Sequence, residues 1–166
     1  YMIKTDSIVA LSTPPGIGAI AIVRVSGEDS IEICDKIFIN KKNNKLSDQK
    51  SHTVHLGKII NNNDVLDEVL VTIFKAPHSY TGENTVEISC HGSNFIQQKL
   101  IDLLIKSGAR LASPGEFTLR SFLNRKMDLN QAEAVADLIS SENESSHKLA
   151  MQHMRKDFSN DLKKLR

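Results

Sequence analysis

DSIVALSTPPGIGAIAIVRVSG, residues 6–27, is the stretch on which the fold turns. DSIVAL (6–11) and GAIAIVRV (18–25) are β-branched and apolar, and TPPG (13–16) lies between them. Branched Cβ atoms suit a pleated chain, and the prolines and glycines punctuate it, so the pattern predicts two strands around a turn. Pro14 and Pro15 stiffen that connection, and Gly16 and Gly18 free the backbone beyond it. From Ser26 the period lengthens. Ile31, Cys34 and Phe38 share one face, and Asp29 stands at the capping-box position, which predicts a helix starting at Ser26.

Further along, VHLGKII (54–60) and EVLVTIFK (68–75) read as a strand pair joined by the Asn61–Asp64 turn. TVEISC (85–90) is another strand. It leads through His91-Gly92 into a helix over 94–107, with Phe95, Ile96, Leu100, Leu103 and Leu104 on its core side and Gly108 as its cap. ARLA (109–112) is a short strand. Ser113-Pro114-Gly115-Glu116 combines an N-cap, a proline at the first helical position and a Glu three residues after the cap. Asp128–Gln131 and Ser141–Glu144 repeat the cap pattern, giving helices over about 114–125, 129–140 and 142–166. Strands followed by helices predict an α+β fold, a mixed β-sheet with packed helices.

The chain has 166 residues, 40% hydrophobic and 25% charged, which is one domain or one domain plus an appendage. At that length it needs neither disulfide nor metal to fold. The net charge of +1 argues against a dedicated nucleic-acid domain held by a positive field. Cys34 and Cys90 are too few for a secreted disulfide scaffold, and no apolar run approaches the roughly 20 residues of a membrane helix. These features predict a soluble protein of the reducing cytoplasm. Residues 40–51 carry +3 and read as a solvated loop, with phosphate contact as the alternative. Residues 133–146 carry −4 and 147–166 carry +4, which suits the macrodipole of the last helix better than nucleic-acid binding. Met151, Met154, Phe158, Leu162 and Leu165 form an apolar stripe there. It implies that the chain is the front of a longer protein or that the stripe pairs with a second chain.

Several motifs are excluded. PPGIGA lacks the Lys-Ser/Thr of a phosphate loop and the spacing of a dinucleotide fingerprint, and Asn124–Asp128 is out of register for guanine reading. This chain alone is therefore not expected to hydrolyse a nucleotide. His52, His55 and Cys90-His91 lack metal-ligand spacing, and Cys90 sits on an apolar strand where packing is its natural role. No catalytic residue and no metal site are assigned. What remains is a distributed polar set: Arg24, Glu87 in mid-strand, and Arg120, Asn124, Arg125 and Lys126 on or after the Ser113-capped helix. A carboxylate among apolar strand residues needs a fixed partner. Glu87 is either half of a structural ion pair, for instance with Arg24, or part of a ligand site gathered from several elements.

TPPGIGAIAIVRVSG (13–27), APHSYTGENTVEISCHG (76–92) and SPGEFTLRSFLNRKMDLNQAEAVADLI (113–139), in this order and spacing, resemble the N-terminal part of the MnmE (TrmE) family of tRNA-modifying GTPases. The resemblance covers nearly the whole chain, weakening only over 40–51 and along the last helix. It implies a folate-binding, dimerising domain like that of aminomethyltransferases over 1–120. It also implies the start of a helical domain over 121–166, without the G domain and closing cysteine motif. By the same resemblance the domain takes 5-formyltetrahydrofolate, contacted by Arg24, Glu87 and Lys126. GTP, Mg2+ and K+ belong to the G domain, and the partners are a second copy, an FAD-dependent MnmG-type protein and tRNA. The family's reaction places a carboxymethylaminomethyl-type group on carbon 5 of the wobble uridine. We expect Glu87 to take the pterin N–H and amino group, and Arg24 and Lys126 to take the glutamate carboxylates of the tail. Asn84, Ser93 and Arg125 depart from the family pattern. Alternatives are a self-sufficient folate-dependent one-carbon transferase and an assembly domain with a vestigial pocket.

Overall fold

Alternating burial along the first strands builds the sheet. A computed structural model of the chain describes residues 6–164. β1 (Ile8–Leu11) and β2 (Gly18–Ser26) pair antiparallel, with Val9 opposite Val25 and Ala10 opposite Arg24. On β2, Ala21, Val23 and Val25 are buried while Ile22 and Arg24 between them are half-exposed, the period of a strand with one face in the core. β3 (Phe38–Ile39), β4 (Thr53–Asn61), β5 (Asp64–Phe74), β6 (Thr85–Gly92) and β7 (Arg110–Leu111) complete a seven-stranded sheet ordered β3-β4-β5-β6-β2-β1-β7. Neighbours run antiparallel except β1 and β7, which run parallel, so the sheet is mixed.

Helices α1 (Ser30–Asp35) and α2 (Asn94–Lys106) supply Ile31, Ile33, Cys34, Leu100 and Leu104 to one core with Val23, Val71 and Ile88. The architecture is α+β. α3 (Glu116–Leu123) follows β7, and α4 (Leu129–Ile139) and α5 (Glu144–Lys164) form a helical hairpin in which Ala134 and Ala150 are buried. The chain divides into two compact units at Phe117–Thr118, inside α3. Phe117 falls in the first unit, where its ring packs over Arg24.

Several local expectations change. β2 runs through Ser26, so α1 starts only at Ser30, with no side-chain cap from Asp29, and Phe38 belongs to β3. The 40–51 segment is anchored: Leu46 is fully buried in a 3₁₀ turn (Leu46–Asp48), and the Asp35 carboxylate accepts from the amides of Leu46 and Ser47. One buried leucine among polar residues leaves no period to read. Ser113–Glu116 is a turn ahead of the helix. Glu116 N donates to Ser113 O at 3.0 Å, Gly115 has φ +73°, and Pro114 precedes it, the sequence preference of a type II turn. Glu116 still reaches back, accepting from Ser113 N at 2.7 Å. The last helix is capped by Asn143, whose Oδ1 accepts from Ser146 N at 2.9 Å, rather than by Ser141. In the apolar stripe Met151 and Met154 are half-buried; the side chains of Phe158, Leu162 and Leu165 lie outside the described residues.

The Asp128 box forms as expected. Asp128 Oδ1 accepts from Gln131 N at 2.8 Å and Gln131 Oε1 accepts from Asp128 N at 2.9 Å. Asp128→Ala should cost about 1 kcal/mol, measured as a drop in the urea midpoint of the helical unit.

Both thiols are buried and unbridged. Burial, reinforced by the Asp67 carboxylate, pushes the Cys90 thiol up to about 11, and burial raises Cys34 further. An unfolded thiol titrates near 8.5, so above that pH the unfolded chain releases protons that the folded chain keeps. The stabilisation is complete below the unfolded value and is lost as pH rises toward the folded one. Unfolding free energy should fall by about 2 kcal/mol between roughly pH 9 and 10, and the Cys34→Ala/Cys90→Ala double variant should lack that component.

Candidate functional site

Arg24 and Glu87 are brought together by strand register. β2 and β6 are antiparallel neighbours with Arg24 directly opposite Glu87, and Thr72 of β5 lies opposite Glu87 on its other side. The flanking Val23, Val25, Val86 and Ile88 point into the helix-covered core, so by alternation Arg24 and Glu87 share the opposite face of the sheet. Arg24 Nε donates to Glu87 Oε1 at 2.9 Å and Nη2 lies 2.8 Å from the same oxygen. Glu87 Oε2 has no partner among the described residues. The two side chains are 25% and 26% exposed, which leaves the pair open to a ligand from solvent.

Two rings frame the guanidinium. Its central carbon lies 5.3 Å from the centroid of Tyr80 and 5.5 Å from that of Phe117, both cation–π distances. Tyr80 is placed by a hydroxyl cluster that ties its loop to the strand ends. Ser26 Oγ donates to Glu83 Oε2 at 2.8 Å and shares a 2.7 Å bond with Thr81 Oγ1, and all three of Ser26, Thr81 and Thr85 are buried. Phe117 is placed by the turn at Gly115 and by Arg110, whose Nη2 lies 2.6 Å from Glu116 Oε1 and whose Nε donates to Asp6 Oδ2 at 2.6 Å. These two carboxylates hold the Arg110 guanidinium protonated well above its ordinary range.

Lys126 is exposed on the turn after α3, in the second unit, and its amide donates to Ser121 O at 2.9 Å. Arg120 lies on α3, and Asn124 and Arg125 lie in the same turn as Lys126. The departures from the family pattern have local explanations. Asn84 Nδ2 donates to Glu28 O at 3.1 Å, a bond a carboxylate there cannot make, while its Oδ1 accepts from Ala76 N. Ser93 is the N-cap of α2, its Oγ accepting from Ile96 N. Arg125 holds φ +57°, a conformation that favours glycine or asparagine.

Sequence reasoning missed Tyr80 and Phe117, which no period marks, although both lie inside the stretches that carry the family resemblance. It also missed a pair at the far end of β6. Asp67, 9% exposed, accepts from His91 N at 2.8 Å and pairs with His91 Nδ1 at 2.7 Å, while the imidazole stays exposed. Among the described residues no cluster of three or more His, Cys, Asp or Glu could hold a metal, and no helix is long and apolar enough to cross a membrane. Chemically, the open face presents one acceptor oxygen, a fixed guanidinium and two aromatic rings. That set suits a flat heteroaromatic ligand with N–H donors.

Residues 7–126 match the family described as GTP-binding protein TrmE N-terminus. The chain is 61% identical over 165 residues to a tRNA modification GTPase MnmE of Flavobacterium johnsoniae, covering 99% of this chain and 35% of that protein. It is 60% identical to the protein of that name in Flavobacterium psychrophilum, covering 99% and 36%, and 56% identical to that of Parabacteroides distasonis, covering 97% and 35%. The chain thus spans about a third of the length of the curated relatives it matches. With the mixed sheet, the Arg24–Glu87 register and a family match over 7–126, the chain belongs to the TrmE N-terminal family.

Proposed function

We propose that this chain is the 5-formyltetrahydrofolate-binding and homodimerising module of a cytoplasmic GTPase. With an FAD-dependent partner, that enzyme modifies carbon 5 of the tRNA wobble uridine. The observation that carries the folate reading is the Arg24–Glu87 pair between Tyr80 and Phe117 on the open face of the sheet. Arg24 immobilises one carboxylate oxygen and leaves Oε2 for a pterin N–H or amino donor. The expectation that Glu87 takes both pterin donors therefore narrows to one direct bond through Oε2, the second donor sharing Oε1 with Arg24. Arg24, 2.9 Å from the carboxylate given to the pterin, belongs in this reading to the head-group end rather than to the tail, and Lys126 stays as the proposed cation for a tail carboxylate. Folate, when bound, supplies the one-carbon unit; these residues bind and orient it.

Exposed apolar side chains support the dimer. Leu56 and Leu70 stand opposite each other on β4 and β5, 55% and 47% exposed, beside Val54. GTP, Mg2+ and K+ belong in this reading to a G domain outside these residues. Calorimetry with 5-formyltetrahydrofolate tests the site, and one equivalent per chain, released by heating with the fold, is the expected result. No heat at millimolar ligand leaves a vestigial pocket and overturns the folate reading. Light scattering should give twice the 18.4 kDa of one chain, and a monomer at high protein concentration removes the dimer.

A further inference from the structure

We infer that a folate bound at Glu87 lies along β6 towards His91, with its benzoyl ring over Ile20 and Ile22 and its amide N–H donated to His91 Nε2. His91 is then a specificity residue for the benzoylglutamate half of the ligand. The inference rests on the folate reading and adds to it the direction of the ligand and a contact for its second half. The direction follows from what surrounds Arg24 and Glu87. The Tyr80 loop occupies the Ser26–Thr85 end of β2 and β6, where the hydroxyl cluster holds it, and Phe117 lies over Arg24 as well. Towards the other end of the two strands, Ile22 stands opposite Ser89 and then Ile20 opposite His91. Ala21, Val23, Ile88 and Cys90 are buried in the core, so by alternation these four residues share the face of Glu87. Ile22 is half-buried and Ile20 is 67% exposed, which makes an apolar floor beside the polar row Glu87, Ser89, His91. Glu87 and His91 are four residues apart, about 13 Å along a strand that rises roughly 3.3 Å per residue. That is comparable to the reach of a folate from the donor edge of its pterin to the amide beyond its benzoyl ring, with a bend at the linking methylene.

His91 offers that amide a fixed acceptor. The buried Asp67 carboxylate accepts from His91 Nδ1 at 2.7 Å, so the ring proton sits on Nδ1 and Nε2 carries the lone pair. Nε2 has no partner among the described residues, and the ring is 71% exposed. The fold does not require the ring. Asp67 also accepts from the backbone N–H of His91 at 2.8 Å, which ties β5 to β6 without the imidazole. An exposed imidazole, oriented by a buried carboxylate and with its lone pair unused, is a recognition group rather than a clasp. Electrostatics selects the amide over the tail carboxylates. Asp67 touches the ring, and Glu68 follows it on β5, opposite Lys58 of β4. Two acids against one base make this end of the face unfavourable for a carboxylate, whereas a neutral N–H donor meets no such repulsion.

The test is calorimetry on this chain with two ligands, 5-formyltetrahydrofolate and 5-formyl-6-methyltetrahydropterin, which is the head group alone. His91→Ala should weaken the first about three- to tenfold, the size of one neutral hydrogen bond, and leave the second unchanged. Glu87→Ala should weaken both. His91→Gln, whose side-chain carbonyl also accepts, should recover part of the loss. His91→Leu, with bulk but no acceptor, should act as His91→Ala does and keeps the comparison if the smaller residue unsettles the strand. Thermal melts of each variant confirm the fold. A loss confined to the full folate supports the contact. Equal folate affinity in parent and His91→Ala, or an equal loss on both ligands, overturns it, and the folate reading stands as long as Glu87→Ala weakens both. A parent chain that binds neither ligand overturns the folate reading and this inference with it.

Discussion

Glu87→Ala should weaken 5-formyltetrahydrofolate binding by about 10- to 150-fold, the equivalent of about 1.5–3 kcal/mol for one lost charge-assisted hydrogen bond. The ligand N–H that Glu87 accepts would give up water and find no acceptor, which is why a polar site rejects its mismatched ligand so strongly. The loss cannot be mistaken for unfolding. The Arg24–Glu87 pair is about a quarter exposed, so water screens it, and its removal should cost no more than about 1 kcal/mol of stability. Arg24→Lys is the companion variant. It keeps the charge but loses the fork and the flat face that lies against Tyr80 and Phe117, so folate affinity should fall while net charge stays constant. Calorimetry with each variant gives the comparison. A Glu87→Ala chain that binds folate as tightly as the parent would reduce the pair to a structural clasp between β2 and β6.

Gly27→Ala should lower the unfolding free energy by about 2–5 kcal/mol, a large part of what a domain of this size has. Two effects combine. Gly27 holds φ +145°, where a Cβ costs about 1–2 kcal/mol. That Cβ would also stand 2.4 Å from Ser7 Oγ and 2.5 Å from Ser7 Cα, and the backbone entering β1 cannot withdraw without breaking its register with β2. Overpacking of that kind adds about 1–3 kcal/mol. Gly16 is the control: it also has positive φ, +114°, but nothing lies within 4 Å of its added Cβ. Gly16→Ala should therefore show the conformational part alone. Urea denaturation of the two variants separates strain from overlap, and equal losses would remove the steric argument.

The candidate pair is half legible. Arg24 and Glu87 stood out because each interrupts an apolar strand, and an ion pair between them was one of two readings left open by the residues. Their partners Tyr80 and Phe117 were not legible, since Tyr80 lies in an irregular loop and Phe117 in the first turn of α3, where the turn at Gly115 rather than a period sets the side-chain direction. Gly115 illustrates the point. Ser-Pro-Gly-Glu satisfies the composition of a helix start, but the positive φ at Gly115 makes it a turn and delays α3 to Glu116. Leu46 shows the converse, a core residue in a segment of polar composition, buried because Asp35 fixes the amides around it.

By itself the sequence determined the elements and their class. Periods of two and of three to four residues record which faces are apolar, and β-branching, glycine and proline record where the backbone extends or turns, so β1, β2, β4, β5, β6, α2 and α4 were readable from local chemistry. Only the tertiary structure decided who neighbours whom: that β2 lies between β1 and β6, that β7 joins the edge parallel to β1, and that Asp67 of β5 meets the imidazole of His91 on β6. Strand order and such gatherings depend on long-range pairings whose free energy is shared over the whole core, and no window of neighbouring residues contains it.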